Sequence, residues 1–460
     1  MEYSLSLPEP LYAELTAHLF QDDRQERAAY LLCRSAIGRQ EIRLLGRELI
    51  PVEAAHIQSV SRVHMRIASP SFLRAMKRAH QTQQSFVFVH SHPHDVPGHS
   101  PQDNREEVSL FRTAHVRIGG VPIHGSLVLS APDKPVGRVW LADGCHHPIS
   151  TIRVVGERLR LFRHGTAIEP NISLFDRQVR AFGNELQSLL AQLRIGIVGA
   201  GGTGSAVCEQ LTRLGVGEII IADGQALDAS NVTRVYGSRL ADQGRPKVHI
   251  QRDHVSRIGL DTVIHTLEKD ITYRSVLEEF RFCDAVFGCT DDQWGRSLLT
   301  RLAIYYHVPV LDMGVKIDST DGAIRSVQGR VTTLLAGVPC LFCRGRITAE
   351  GVRAESIALL NPAEAEQLRR EGYAPELEEA APAVIPFTTA IASSAVCELL
   401  HRLTGFMGSE RRSTEVLHLF DQTRTRTNGG RSASDCFCQD RTFWGRGDVE
   451  PFLDLTWRPE

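Results

Sequence analysis

The sequence predicts an α/β protein of two domains, the second of them a Rossmann-like, doubly wound fold. Three observations predict it. The chain has 460 residues, more than a single hydrophobic core usually serves. Short β-branched and aromatic runs alternate with amphipathic helical stretches along it. The segment RIGIVGAGGTGS, Arg194 to Ser205, reads as a strand, a glycine loop and the start of a helix, the opening of a βαβ unit.

The elements follow in order. Residues 1 to about 150 mix the short strands AAYLLCR, QEIRLL, SFVFVH, GSLVLS and GRVWLAD with helices near 71–83 and 104–114. We place the first domain at 1–155 and the second at 156–460. SLFDRQVRAFGNELQSLLAQL, 173–193, reads as one helix. EIIIAD completes the βαβ unit. The alternation then continues through DTVIHTLEK, CDAVFGCTD, a helix near 294–305 and HVPVLDMGV. Residues 344–385, rich in Glu, Ala and Pro, read as a flexible crossover and not as core.

Composition excludes several classes. A hydrophobic content of 42% and a net charge of -2 describe an ordinary soluble globular protein. No basic excess points to nucleic acid as a partner. No apolar run is long enough to span a membrane, and the N-terminus lacks the basic and apolar regions of a secretory signal. A cytoplasmic location is therefore expected. The ten cysteines do not resemble a disulfide framework, and four of them fall in close pairs, which suggests metal.

The stretch HSHPHDVPGHSPQD, His90 to Asp103, follows the buried-strand pattern SFVFV. His90 and His92 would share one face at the strand's end, because side chains two apart point the same way. Asp103 returns just before a helical stretch. Two imidazoles and one carboxylate suit a tetrahedral Zn²⁺ with one position left for a water, whose pKa the metal lowers to about 7. Ser100 is placed to hydrogen-bond a developing oxyanion. His94 and His99 read as loop residues.

The second constellation surrounds the glycine loop. Gly199, Gly201, Gly202 and Gly204 let the backbone turn tightly and bring it, with the helix N-terminus, close to phosphate. Asp223, at the end of the next strand, suits a ribose hydroxyl. Beyond it stand Asp228, SNVTR, GRPK, CTDD and Arg296. A nicotinamide enzyme has no use for that set of cations, whereas an enzyme holding a triphosphate does. Arg234 and Lys247 neutralise phosphate oxygens, Asn231 adds a neutral donor, and Asp291 holds Mg²⁺.

FDRQ at 175–178, GAGGTGS, Asp223, SNVTR, GRPK and CTDD together resemble the ThiF/MoeB family, the adenylating domain of ubiquitin-activating enzymes. Val235, where the family usually has Gln, and Asp292, usually Asn, depart from it. The resemblance implies ATP-dependent adenylation of the C-terminal glycine of a ubiquitin-like protein, with release of pyrophosphate. It also implies a homodimer in which Arg177 reaches the triphosphate of the neighbouring subunit. Cys340, Cys343, Cys436 and Cys438 supply the four ligands a structural Zn²⁺ needs. The family often carries such a zinc on two CxxC pairs; the second pair here is the tighter CxC.

Many activating enzymes also use a crossover cysteine as acyl acceptor, but residues 344–396 contain none. Cys208 and Cys397 read as core, and Cys283 and Cys289 flank a strand. Adenylation without an enzyme-bound thioester is therefore expected, the adenylate passing to a separate conjugating enzyme or to a sulfur donor.

The spacing of His90, His92, Ser100 and Asp103 resembles the JAMM (JAB/MPN) metalloprotease motif, which implies a cytidine-deaminase-like α/β domain in the first half. That family cleaves bonds after the C-terminal glycine of ubiquitin-like proteins and takes its general base from an early strand. Glu26 is the fitting residue here, with Glu48 and Glu53 as alternatives. The two resemblances together imply a bifunctional adenylyltransferase and zinc metallopeptidase acting on one partner tail, ubiquitin-like or sulfur-carrier. Such fusions resemble bacterial ubiquitin-like conjugation systems, some of which look like antiviral defence modules.

Overall fold

The computed structural model describes the chain except for residues 22, 24, 61–64, 94–96, 166–172, 371–381, 409–410, 412–413 and 460. His94 thus lies outside the described residues. The chain divides into two compact units. Unit 1 comprises Met1–Thr166 with Tyr305–His307 and Arg441–Val449; unit 2 comprises Ala167–Ile304, Val308–Asp440 and Glu450–Glu460.

In chain order, unit 1 contains β1 (Glu2–Pro8), α1 (Glu9–Leu19), β2 (Ala28–Ile37), β3 (Glu41–Pro51), β4 (Ile57–Val60), β5 (Met65–Ile67), α2 (Ser69–Thr82) and β6 (Ser85–Ser91). It continues with α3 (Pro101–Ile118), β7 (Ile123–Leu129), β8 (Pro135–Leu141), β9 (His146–Pro148), β10 (Thr151–Val155) and β11 (Leu159–Arg163). Nine strands form one sheet in the order β11-β10-β1-β3-β2-β6-β7-β8-β9. Leu11, Tyr12, Leu15 and Leu19 of α1 pack with the odd-numbered Val87 and Val89 of β6 on one face. Ala75, Met76 and Ala79 of α2 and Phe111, Ala114 and Ile118 of α3 pack with Phe86 on the other. The sheet is covered on both sides, so its central strands read as near-continuous apolar runs.

Unit 2 contains α4 (Asp176–Leu190), β12 (Arg194–Val198), α5 (Gly202–Arg213), β13 (Glu218–Ala222), α6 (Lys247–Ile258), β14 (Val263–Leu267), α7 (Arg274–Phe280) and β15 (Ala285–Gly288). Then come α8 (Gln293–Tyr306), β16 (Val310–Thr320), β17 (Ala323–Leu334), α9 (Ala349–Leu360), α10 (Pro362–Arg370), α11 (Ile385–Thr404), β18 (Glu415–Leu419) and β19 (Arg424–Asn428). Its sheet runs β14-β13-β12-β15-β16-β17-β18-β19, with β14 through β16 parallel and the rest antiparallel. The doubly wound order is therefore present. From β12 the chain moves outward to β13 and then returns to β15 on the other side. That reversal opens a crevice at the carboxyl ends of β12 and β15, where such sheets bind ligands.

Three expectations are corrected. Residues 344–385 are not wholly irregular: α9 and α10 occupy much of the stretch. Thr348 caps α9 by accepting from the Gly351 N–H, and the Ala, Glu and Leu that follow are strong helix formers. Residues 371–381 lie outside the described ones. The helix expected over 173–193 is broken at Gly183, whose φ of 84° no helix accommodates. Cys397 is exposed on α11, not in the core, because its neighbours Val396 and Leu399 take the inward face. Among the described residues no helix is long and apolar enough to cross a membrane.

Candidate functional site

In unit 1, β6 carries Phe86, Phe88 and His90 along one face of the sheet, and His92 follows immediately after its last residue. The His90 ring stacks on Phe88, centroids 5.1 Å apart. Both imidazoles are buried. The turn into α3 brings the third donor. Ser100 caps the helix: its Oγ accepts from the Asp103 N–H at 3.2 Å, and Asp103 Oδ2 accepts from the Ser100 N–H at 2.6 Å. Pro101, which has no N–H to leave unpaired, occupies the first helical turn. This reciprocal cap holds the Asp103 carboxylate at the strand's end.

His90 Nε2 and His92 Nε2 are 3.2 Å apart; Asp103 Oδ1 lies 3.3 Å from the first and Oδ2 3.5 Å from the second. Ligands about 2.0–2.1 Å from a tetrahedral Zn²⁺ stand about 3.3–3.4 Å from one another, so the three donors fit that ion. Burial pushes the Asp103 carboxyl up, but hydrogen bonds from His90 and Ser100 and the charge of His90 outweigh it and hold it well below the usual carboxylate range. His90 Nδ1 is buried with no hydrogen-bond partner among the described residues.

Strand β2 pairs antiparallel with β6, Ala28 opposite His90, and the Ser91 N–H donates to Arg27 O at 2.9 Å. Glu26 lies two residues before β2 and is buried; the same register, continued past Ala28, would set it opposite His92. Glu48 and Glu53 lie elsewhere, paired to Arg78 at 3.0 Å and Arg74 at 2.5 Å, both on α2. His99 is in the loop, yet its ring is buried, with Nε2 2.8 Å from Ser126 Oγ. Burial pushes its pKa down to about 3. Sequence reasoning missed this partner and the Glu107 behind it. The clue was Glu107 four residues after Asp103, on the same face of a helix.

In unit 2, Gly199 has φ +97°, and a Cβ there would stand 2.8 Å from Cys289 O, so the glycine loop lies against the CTDD loop. A Cβ on Gly204 would fall 1.8 Å from Gly199 O. Gly201 is open, and Gly202 has Arg234 Cδ and Thr388 Oγ1 3.3 Å from where its Cβ would be. Asp223 accepts from the Ala200 N–H at 2.7 Å through Oδ2 and from the Gln225 N–H at 2.8 Å through Oδ1, which pins the loop to the end of β13.

Asn231 is buried in a short turn where its Oδ1 accepts from the Asp228 N–H at 3.4 Å. Arg234 donates to Ser230 O at 3.0 Å, and the Tyr236 N–H donates to Ser205 Oγ at 3.0 Å, tying the SNVTR turn to α5. Lys247 opens α6, buried, with Nζ 2.7 Å from Gln225 Oε1. Asp291 is exposed beside the glycine loop's neighbour Cys289. Arg177 is exposed on the first turn of α4, and no hydrogen bond or ion pair among the described residues brings it to this group. The two departures have structural roles. Val235 packs with Leu227 and Ile250, and Asp292 caps α8 by accepting from Gly295 N and Thr290 Oγ1.

The sulfurs of Cys340, Cys343, Cys436 and Cys438 also gather. The 340–343, 340–436 and 343–438 separations are 3.8, 3.6 and 3.7 Å. A tetrahedral site with Zn–S of about 2.3 Å has an edge of about 3.8 Å, so the four thiols fit. Hydrogen bonding between them pulls Cys438 down and pushes Cys340 up. Elsewhere burial pushes the thiols of Cys208 (to about 12) and Cys289 up, away from the thiolate a nucleophile needs.

Residues 175–438 match the ThiF family, and residues 8–140 match prokaryotic homologs of the JAB domain. The SAMP-activating enzyme E1 of Haloferax volcanii is 29% identical over 35% of this chain and 56% of its own length. The molybdopterin-synthase adenylyltransferase of Escherichia coli is 30% identical over 38% of this chain and 69% of its own. Among solved structures, E. coli MccB with ATP is similar at 14% identity and a TM-score of 0.45, over 59% of this chain and 75% of that one. The first match spans more than half of the sequence: the chain belongs to the ThiF family and carries, earlier in its sequence, a domain of the prokaryotic JAB type.

Proposed function

We propose that the chain is a two-site enzyme of a bacterial-type ubiquitin-like system. One site adenylates the C-terminal glycine of a ubiquitin-like protein; the other hydrolyses the bond that follows such a glycine. The observation that carries the first is the crevice at the β12/β15 reversal, to which the glycine loop, Asp223, Arg234, Lys247 and the CTDD loop all belong. The N–H groups of the loop and of the α5 N-terminus face phosphate there. Lys247, Arg234 and Asn231 contact phosphate oxygens, and Asp223 receives a ribose hydroxyl. Arg177 completes the site from the neighbouring subunit of a homodimer. The partner's carboxylate oxygen bonds to the α-phosphorus as the bond to the bridging oxygen breaks, and pyrophosphate leaves; the residues act by positioning and charge neutralisation. Mg²⁺ at Asp291 would neutralise the triphosphate.

In the first unit, zinc held by His90, His92 and Asp103 would supply Lewis-acid polarisation of the scissile carbonyl and an acidified water. Glu26 would act as the general base, taking a proton from the attacking water and giving it to the departing amine. Ser100 donates to the carbonyl oxygen as it gains charge. Its oxygen accepts in the helix cap, which leaves its own O–H to give. A second zinc, on the cysteine quartet, is structural. We place the enzyme in the cytoplasm, and in antiviral defence, where phage plating on cells carrying Asp291→Ala would read the role. The central test is incubation with ATP and a candidate partner, following ATP–pyrophosphate exchange and the mass of the partner's C-terminus. A folded protein that shows no partner-dependent exchange refutes the adenylation reading.

A second reading makes the partner a sulfur carrier, its tail trimmed by the first unit and then thiocarboxylated. Similarity to sulfur carrier protein ThiS adenylyltransferase of Bacillus subtilis, 26% identical over 38% of this chain, favours it. The raised thiols fit either acceptor, a separate conjugating enzyme or a sulfur donor. A thiocarboxylated tail supports the second reading, and a partner joined to another protein supports the first.

A further inference from the structure

Behind the paired imidazoles lies a buried polar network that the proposed hydrolysis does not use. Glu107 stands one helical turn after Asp103 on α3 and is 2% exposed. Its Oε2 accepts from three donors on two strands: Ser126 Oγ at 2.6 Å, Arg138 Nε at 2.9 Å and Trp140 Nε1 at 2.9 Å. Arg138 also donates to Asn104 Oδ1 at 2.5 Å, so the first and second turns of α3 are both tied to β8. Ser126 gives its one proton to the carboxylate and can only accept from His99 Nε2, 2.8 Å away. The ring proton of His99 therefore sits on Nε2. Glu107 Oε1 is buried with no hydrogen-bond partner among the described residues, 3.8 Å from that same nitrogen.

Apolar residues of similar volume would fill this place at less cost than a buried ion pair with an unpaired oxygen. What the carboxylate adds is direction. We propose that Glu107, acting through Ser126, is a positioning residue: it holds His99 in the Nε2–H form and fixes the turn from His99 to Asp103, so that Ser100 and Asp103 meet His90 and His92. The lever is short. His99 adjoins the capping Ser100, and Asp103 and Glu107 share one face of α3. The consequence for hydrolysis rests on the reading of the three donors as a zinc centre.

Two variants of the full chain test it. Ser126→Ala removes the middle of the relay and leaves the Arg138–Glu107 pair; Glu107→Gln keeps the shape and removes the charge. The readouts are the ring nitrogen chemical shifts of His99, assigned against His99→Gln in metal-free protein, and zinc affinity by competition with a chromophoric chelator. In the parent protein His99 should show a single Nε2–H form. In Ser126→Ala it should become a mixture of tautomers, and zinc affinity at the histidine centre should fall about tenfold or more, with the cysteine-bound zinc retained. An unchanged His99 tautomer, or a zinc affinity equal to the parent's, overturns the proposal. Should Glu107→Gln fail to fold, Ser126→Ala decides alone. If His90→Ala leaves the parent's zinc content unaltered, the zinc reading fails by itself, and the His99 shifts still decide the relay.

Discussion

In unit 1 the donor atoms of His90, His92 and Asp103 already stand within 3.5 Å of one another, whereas in unit 2 the cations expected on a triphosphate hold neutral oxygens instead: Lys247 that of Gln225, Arg234 that of Ser230. The backbone shows the reverse pattern. The glycine loop of unit 2 is locked by Asp223 and by contacts only glycine permits, while the turn before Asp103 is held by its side-chain cap. The contrast is the one expected of the two ligands proposed. A metal ion needs rigid donors at fixed spacing, because a displacement of a few tenths of an ångström loses the bond. Phosphate takes its specificity from fixed backbone N–H groups and tolerates long cations that swing in with the ligand.

The comparison breaks first at the two carboxylates proposed as catalytic. Asp291→Ala should abolish partner-stimulated ATP–pyrophosphate exchange, by about a hundredfold or more, and leave tail cleavage alone; Glu26→Gln should do the opposite. Loss of both activities from a folded single variant would show the sites are not independent. Gly204→Ala comes next. Its Cβ would overlap Gly199 O, so the loop must move, and nucleotide affinity measured by calorimetry should fall about tenfold or more, while zinc content stays constant. Lys247→Ala sharpens the distinction between backbone and side chain: its buried ammonium should matter to nucleotide affinity by about tenfold and to unfolding temperature much less.

Cys438→Ser should remove one zinc per chain and lower the thermal midpoint; an unchanged metal content would rule out a quartet zinc. The smallest effect belongs to Asp292. Asparagine keeps the accepting oxygen of the α8 cap, so Asp292→Asn should be nearly neutral, whereas Asp292→Ala should cost about 1 kcal/mol in denaturant unfolding.

Much of this was legible before any coordinates. GAGGTGS after an apolar strand and HSH after SFVFV are local statements, since strand period and turn chemistry are decided within a few residues. The corrections lie where local propensity was a poor guide. Residues 344–385 looked irregular because of their Glu and Pro, yet Thr348 and the residues after it build α9. The Trp294 N–H donates to Glu355 Oε2 at 2.7 Å, a bond across 61 positions that no local pattern announces. Cys397 sits in an apolar run, and only the rotation of α11 turns it outward.

The sequence by itself determined the strand and glycine loop of GAGGTGS, the strand before HSH, the order of the two domains and the residue types proposed for metal and phosphate, because each is written at short range. Tertiary structure alone decided that Cys340 and Cys343 meet Cys436 and Cys438 across nearly a hundred residues. It also decided that Ala28 pairs with His90, and that Glu107 reaches His99 through Ser126. Those meetings depend on register and on the packing of α3 over the sheet, which spacing along the chain does not encode.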